Sequence, residues 1–147
     1  MKEGGLKKKE WVRNALERFG CCAKIAYFEG KPVGFIEFYP MQTFPLLPKR
    51  QKRTLLITCV FVYEKAFQNQ GIGSKLVQSL IADLKHRLLP CFDDEPAEEI
   101  AIGSWGCHTG FTESLPRFKR FWHKNGFRED PSFPDPTGRG GILIRSL

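Results

Sequence analysis

Gly71 and Gly73 stand two residues apart, directly after an apolar run and directly before a stretch of helical periodicity. That placement suits a phosphate. A helix N-terminus exposes N–H groups that no helical turn satisfies, together with the positive end of the helix dipole. Glycines there let a ligand approach the backbone without a Cβ in the way. The spacing alone carries little weight, since glycine is about 7% of residues. Two other phosphate loops are excluded. No Gly-Lys-Ser/Thr follows at the Walker spacing. Leu76 stands where the last glycine of a dinucleotide fingerprint would be.

The thiols and imidazoles offer less. The five cysteines are Cys21, Cys22, Cys59, Cys91 and Cys107. An odd number, two of them adjacent and with no Cys-x-x-Cys pair, does not read as a disulfide framework. Cys107 and His108 with Cys21 and Cys22 match no zinc spacing, and buried structural thiols are expected. Cys59 or Cys107 could be a covalent nucleophile only beside a placed base. His108 and His123 are read as surface or packing residues, because nothing pairs them with a nucleophile.

The net charge of +7 is unevenly placed: residues 1–70 carry 13 Lys or Arg against 6 Asp or Glu. Lys7, Lys8 and Lys9 form one cluster, and Lys49, Arg50, Lys52 and Arg53 another. Such clusters suit anions, whether nucleic acid or cofactor, or simply a solvated surface. No apolar run is long enough to span a bilayer, and residues 1–10 lack the apolar core of a secretory signal. A cytoplasmic protein is expected.

Several elements must position the glycine pair. Residues 9–19 read as an amphipathic helix through Trp11, Ala15 and Phe19, with Gly20 as its stop. Residues 23–28 and 33–39 read as a hairpin turning at Glu29-Gly30-Lys31-Pro32. Residues 41–53 read as a loop. Residues 55–62, apolar on both faces, read as a central strand buried on both sides. Leu76, Leu80 and Leu84 mark a helix from about Gly71 to before Pro90. Residues 99–105 read as a strand, 115–124 as a helix capped at Gly126, and 141–146 as a last strand. This order indicates one mixed α/β domain.

In that setting, Gln68-Asn69-Gln70-Gly71-Ile72-Gly73 resembles the Q/R-x-x-G-x-G/A motif of the GNAT superfamily of N-acetyltransferases. Two further segments are similar to that superfamily. Phe121-Trp122-His123-Lys124-Asn125-Gly126-Phe127 resembles its late helix-to-strand segment, and Lys31-Pro32-Val33-Gly34-Phe35 its early hairpin. The resemblance covers residues 23–147. It implies a single domain over residues 1–147, with a mainly antiparallel, twisted sheet splayed beside residues 55–62 and helices on both faces. Family members usually begin with a strand and a helix before the matching stretch, and here the first strand is expected to be missing.

The resemblance also implies the chemistry: acetyl transfer from acetyl-CoA to a primary amine of a small molecule or peptide. By matching position, the amides of Gln70, Gly71, Ile72, Gly73 and Ser74 would hold the pyrophosphate. Gln68 and Asn69 would shape the loop, and Phe61 and Val62 would pair with the pantetheine. Trp122 occupies the place of a frequent general-acid tyrosine beside the cofactor; its indole N–H donates but cannot transfer a proton to a thiolate. Tyr39 or Tyr63 could supply that acid from another element. Glu37, on the strand side shared by Phe35 and Tyr39, is the candidate base. The basic loop at Lys49 to Arg53 would lie near the cleft mouth and favour an acidic acceptor. The alternatives are an acetyl-CoA-binding module with little turnover and a small basic nucleic-acid-binding protein. No metal and no membrane contact are expected, nucleic acid is disfavoured as a partner, and a homodimer is left open.

Overall fold

The computed structural model describes residues 3–47, 49–86, 92, 95–103, 115–133 and 141–147. Helix α1 (Glu3–Phe19) leads into β1 (Ala23–Phe28) and β2 (Lys31–Pro40). A short 3-10 turn at Met41–Thr43 and a loop precede β3 (Thr54–Val62). Helix α2 (Ile72–Lys85), β4 (Glu99–Gly103), α3 (Leu115–Lys124), β5 (Arg128–Glu129) and β6 (Ile142–Ser146) follow. The strands form one six-stranded sheet in the order β1-β2-β3-β4-β6-β5. Among the described residues only β3 and β4 are parallel; the other pairs are antiparallel.

Local chemistry explains most boundaries. The β1–β2 turn is only Glu29 and Gly30, both left-handed at φ 47° and 77°. Two left-handed residues give a tight turn whose twist matches the strands, so β2 begins at Lys31, before the expected Val33. Gly20, at φ 74°, closes α1 and donates from its N–H to the Leu16 carbonyl at 2.9 Å. Helix α1 starts six residues earlier than its apolar periodicity indicated, through the polar stretch that contains Lys7 to Lys9.

Alternating side chains on β2 divide the core between the two faces of the sheet. Ile36 and Phe38 join Leu55, Ile57, Leu76, Val77 and Leu80 beneath α2. Tyr39 faces the other way and packs with Ala15, Phe19 and Cys22 under α1. Helix α3 joins the α2 side through Trp122. Helices therefore lie on both faces.

Strand β3 changes character halfway. Residues Thr54 to Ile57 pair with β4 from Glu99 to Ile102 and are buried. Beyond Ile57, β3 stays paired with β2 as far as Val62, but it has no β4 partner among the described residues. At the same point the register with β2 slips: Phe38 faces Ile57, whereas Glu37 faces Cys59. Thr58 is the extra residue of a β-bulge, and its hydroxyl donates to the Glu37 carbonyl at 3.3 Å. The expectation that this strand is buried on both sides therefore holds only for its first half: Thr58 and Phe61 are exposed.

Candidate active site

The chain leaves β3 through a 3-10 turn at Lys65–Phe67 and reaches α2 over Gln68, Asn69 and Gln70. Asn69 and Gly71 are both left-handed, at φ 60° and 81°. Gly71 is the N-cap of α2, and no side chain caps the helix. The first ladder bond runs from the Lys75 N–H to the Gly71 carbonyl, at 2.9 Å. The N–H groups of Ile72, Gly73 and Ser74 precede it and take no part in the ladder. A Cβ placed on Gly71 would meet nothing within 4 Å. The loop braces itself: the Gln68 amide donates to the Val62 carbonyl at 3.2 Å, and the Gln70 amide to the Ala66 carbonyl. An open, uncapped helix end with a glycine at its rim fits a pyrophosphate.

Gly73 has a different role. A Cβ there would sit 3.5 Å from the Phe121 ring and 3.7 Å from Val60 Cγ1. Its free side faces β3 and α3, so a bulky residue at Gly73 would disturb helix packing before it met a ligand. Ser74 is fixed from the same direction. Its hydroxyl accepts from Asn125 Nδ2 at 3.2 Å. Asn125 is buried, donates also to the Phe121 carbonyl at 2.9 Å, and accepts from Gln78 Nε2 at 2.9 Å. Sequence reasoning passed over Asn125, because beside Gly126 it reads as part of a helix stop. It joins the first turns of α2 to the end of α3. Asn125→Ala strands these partners and is expected to cost about 1–3 kcal/mol. A urea midpoint unchanged from the parent would contradict this role.

Trp122 does not sit where the resemblance put it. It is 3% exposed and packs against the rings of Phe118, Phe121 and Phe127 at centroid distances of 6.0, 5.0 and 4.9 Å. The hydrophobic face of α3 turns the indole into the core. Phe121, one residue earlier, is the ring that reaches the helix end at Gly73.

Glu37 anchors a polar cluster on the α1 side of the sheet, next to the bulge. The Tyr39 hydroxyl donates to Glu37 Oε1, and Lys8 Nζ lies 3.2 Å from Oε2. The Glu37 side chain is 12% exposed, while that of Lys8 is 67% exposed. Burial, followed by the hydrogen bond to Glu37 and its charge, pushes the Tyr39 phenol far above its ordinary range. With its proton committed to Glu37, Tyr39 is no acid for a departing thiolate. Cys59 lies opposite Glu37 in the register, and burial and then the Glu37 charge push its thiol up, against an opposing effect of Lys8. A raised thiol is a weak nucleophile at neutral pH, which removes the support for a covalent route through Cys59. Cys107 and His108 lie outside the described residues. His123 sits on the surface, 3.1 Å from the Glu129 carboxylate.

The basic loop does not serve the cleft as expected. Arg50 is held by Glu99 and Asp130, and Arg53 lies 3.9 Å and 3.8 Å from Glu95 and Glu98. Both arginines sit at the Thr54 end of β3, whereas the Gly71 loop follows its Val62 end. Eight residues of extended strand separate the ends by roughly 26 Å. The motive for an acidic acceptor therefore falls away. Among the described residues, no group of three or more His, Cys, Asp or Glu could hold a metal. No helix there is long and apolar enough to cross a membrane.

Comparison with known proteins agrees with this geometry. The model of the Acetyltransferase (GNAT) family matches residues 2–99. No curated protein sequence matches the chain. Among solved structures, the ribosomal-protein-alanine N-acetyltransferase of Brucella melitensis is similar at a TM-score of 0.61 and 19% identity, over 96% of this chain and 77% of that one. An aminoglycoside acetyltransferase solved with coenzyme A and kanamycin gives 0.64 and 15%, over 94% and 73%. A Bacillus subtilis acetyltransferase solved with CoA gives 0.55 and 22%, over 95% and 84%. With a family match over more than half its length and the fold of solved acetyltransferases, the chain belongs to the GNAT acetyltransferase family.

Proposed function

We propose that this chain transfers the acetyl group of acetyl-CoA to a primary amine of a small molecule or peptide. The observation that carries this reading is the uncapped N-terminus of α2 at the end of a strand whose bulge lies against a buried carboxylate. The amides of Gln70, Gly71, Ile72, Gly73 and Ser74 hold the pyrophosphate, and Gln68 and Asn69 set the loop. The backbone of Phe61 and Val62, at the end of β3, runs beside the pantetheine. Acetyl-CoA, when bound, supplies the acetyl thioester. Two solved neighbours, one described as acting on a ribosomal-protein alanine and one holding kanamycin, support peptide and small-molecule acceptors alike.

Glu37 takes the proton of the attacking amine, because it is the carboxylate held at the bulge and it already accepts a hydrogen bond from the Lys8 ammonium. The amine nitrogen gains a bond to the acetyl carbon, the carbon–sulfur bond breaks, and the sulfur leaves with the electron pair. Neither Trp122 nor Tyr39 donates a proton to it. Water does so, which is chemically reasonable for a thiol with an ordinary pKa of about 8.5.

Calorimetry tests the cofactor site. Gly71→Val forces a β-branched residue into the left-handed region, at about 1–2 kcal/mol, and places side-chain atoms at the rim of the helix end. Affinity for acetyl-CoA is expected to fall at least about tenfold. Unchanged affinity, or no binding by the parent chain, would sink the reading.

A further inference from the structure

The face that carries Glu37 continues, away from α1, into a shelf of exposed rings. Residues opposite one another in antiparallel strands share a face. Cys59 is opposite Glu37, and one repeat further Phe35 is opposite Phe61 on one side and Ile25 on the other. The rings of Phe35, Phe61 and Tyr63 form a triangle with centroid distances of 6.3, 5.8 and 5.9 Å. Phe61, Tyr63 and Ile25 are 49%, 47% and 49% exposed. Single exposed apolar residues are ordinary, but a contiguous patch beside a polar site marks a surface that something covers. The carboxylate at the edge of this patch says what kind of group covers it. Its other partner, Lys8, is a primary ammonium on a mostly exposed, flexible side chain. A carboxylate that pairs with the Lys8 ammonium can pair with another alkylammonium in its place.

We propose that the preferred acceptor is a primary amine carrying an aromatic or branched apolar group one strand repeat, about 6.5 Å, from its nitrogen. The ammonium displaces Lys8 from Glu37, and the apolar group lies on Phe35, Phe61 and Tyr63. This rests on the acetyltransferase reading and names its substrate class. A free arylalkylamine and a peptide with an apolar N-terminal residue share this chemistry. Polyamines, sugars and other purely polar amines leave the shelf bare.

The test compares 2-phenylethylamine with ethanolamine, and a peptide beginning with Phe with one beginning with Gly. Two readouts are used on the full chain: CoA release with acetyl-CoA present, and calorimetric binding of each amine without it. The member of each pair with the ring is expected to show a KM and a dissociation constant about tenfold lower or better. Whichever pair shows the larger ratio identifies the source. Tyr63→Ser, which leaves the residues beside the pantetheine untouched, should reduce the ring's advantage and leave ethanolamine binding unchanged. Equal constants for the two members of both pairs overturn the proposal, and if turnover persists the acetyltransferase reading survives it. Turnover absent in the presence of ring-dependent binding overturns that reading and leaves the shelf. A dimer that dissociates when Tyr63 is replaced assigns the patch to a second copy and also overturns the proposal.

Discussion

Glu37→Gln is expected to lower kcat by about 10²–10⁴-fold, the usual contribution of a positioned general base. Gln keeps the shape of Glu and can still accept the Tyr39 hydroxyl, so β2 and its packing are retained. It cannot take a proton from the amine. Acetyl-CoA affinity should be unchanged, because the Gly71 loop lies off the far end of β3. A fall in kcat with intact cofactor binding separates a lost base from a misfolded chain. Tyr39→Phe supplies the comparison. It frees one carboxylate oxygen without removing the base, and its effect on kcat should be much the smaller of the two. A Glu37→Gln enzyme of parental rate would exclude Glu37 from the chemistry.

The second large effect lies away from the cleft. Arg50→Met is expected to destabilise the chain by about 3–5 kcal/mol at neutral pH, because it leaves the buried carboxylates of Glu99 and Asp130 without their cation. Glu99 is 1% exposed and Asp130 4%. Thr54 and Ser132 hold these carboxylates through their hydroxyls, both at 2.6 Å, but supply no charge. Burial on its own would raise the Asp130 carboxyl. Hydrogen bonds from Ser132 and Arg50, with the guanidinium charge, outweigh it and hold the group below its ordinary range. A depressed carboxyl stabilises the fold above its unfolded pKa of about 3.9, and that contribution disappears as pH falls through the lower folded value. In Arg50→Met the guanidinium hydrogen bond and charge are gone, so the folded pKa of Asp130 lies above the parent's, and the variant has less stability to lose as pH falls. The gap between parent and variant should therefore narrow as the pH of a denaturation series is lowered through the carboxylate range. A gap constant with pH would show that Arg50 acts by packing alone.

The fold was more legible in the sequence than the site. The bounds read for β1 and α3 coincide with the observed Ala23–Phe28 and Leu115–Lys124, because each has clear stop signals: Gly20 and Gly30 about the one, Pro116 and Gly126 about the other. Strand β5 escaped because two residues carry no period. The bulge at Thr58 escaped because it exists only as a mismatch between two strands, and neither strand records it alone. Trp122 was misplaced for a related reason. A motif position fixes a residue along the helix, but the direction in which the helix faces is set by Phe118, Phe121 and Phe127 together. The basic loop misled because sequence shows charges and hides their partners: Arg50 meets Glu99 and Asp130 from 49 and 80 residues away. The place of Glu37 within its strand was readable by alternation, whereas its neighbours Lys8 and Cys59 come from other elements.

The parallel pairing of β3 with β4 bears on how the nascent chain folds. Strands β1 to β3 form in order, and β1 and β2 are joined by a two-residue turn. The β3–β4 pair must wait for Glu99, which follows its partner Thr54 by 45 residues. Non-local pairs form late, since the loop must close before any contact offsets its entropy. A ribosome that has released β3 but not yet β4 therefore exposes Leu55, Leu56 and Ile57 as an apolar strand with one unpaired edge. Such an edge is a template for other chains, and these three residues are where intermolecular pairing during synthesis would begin.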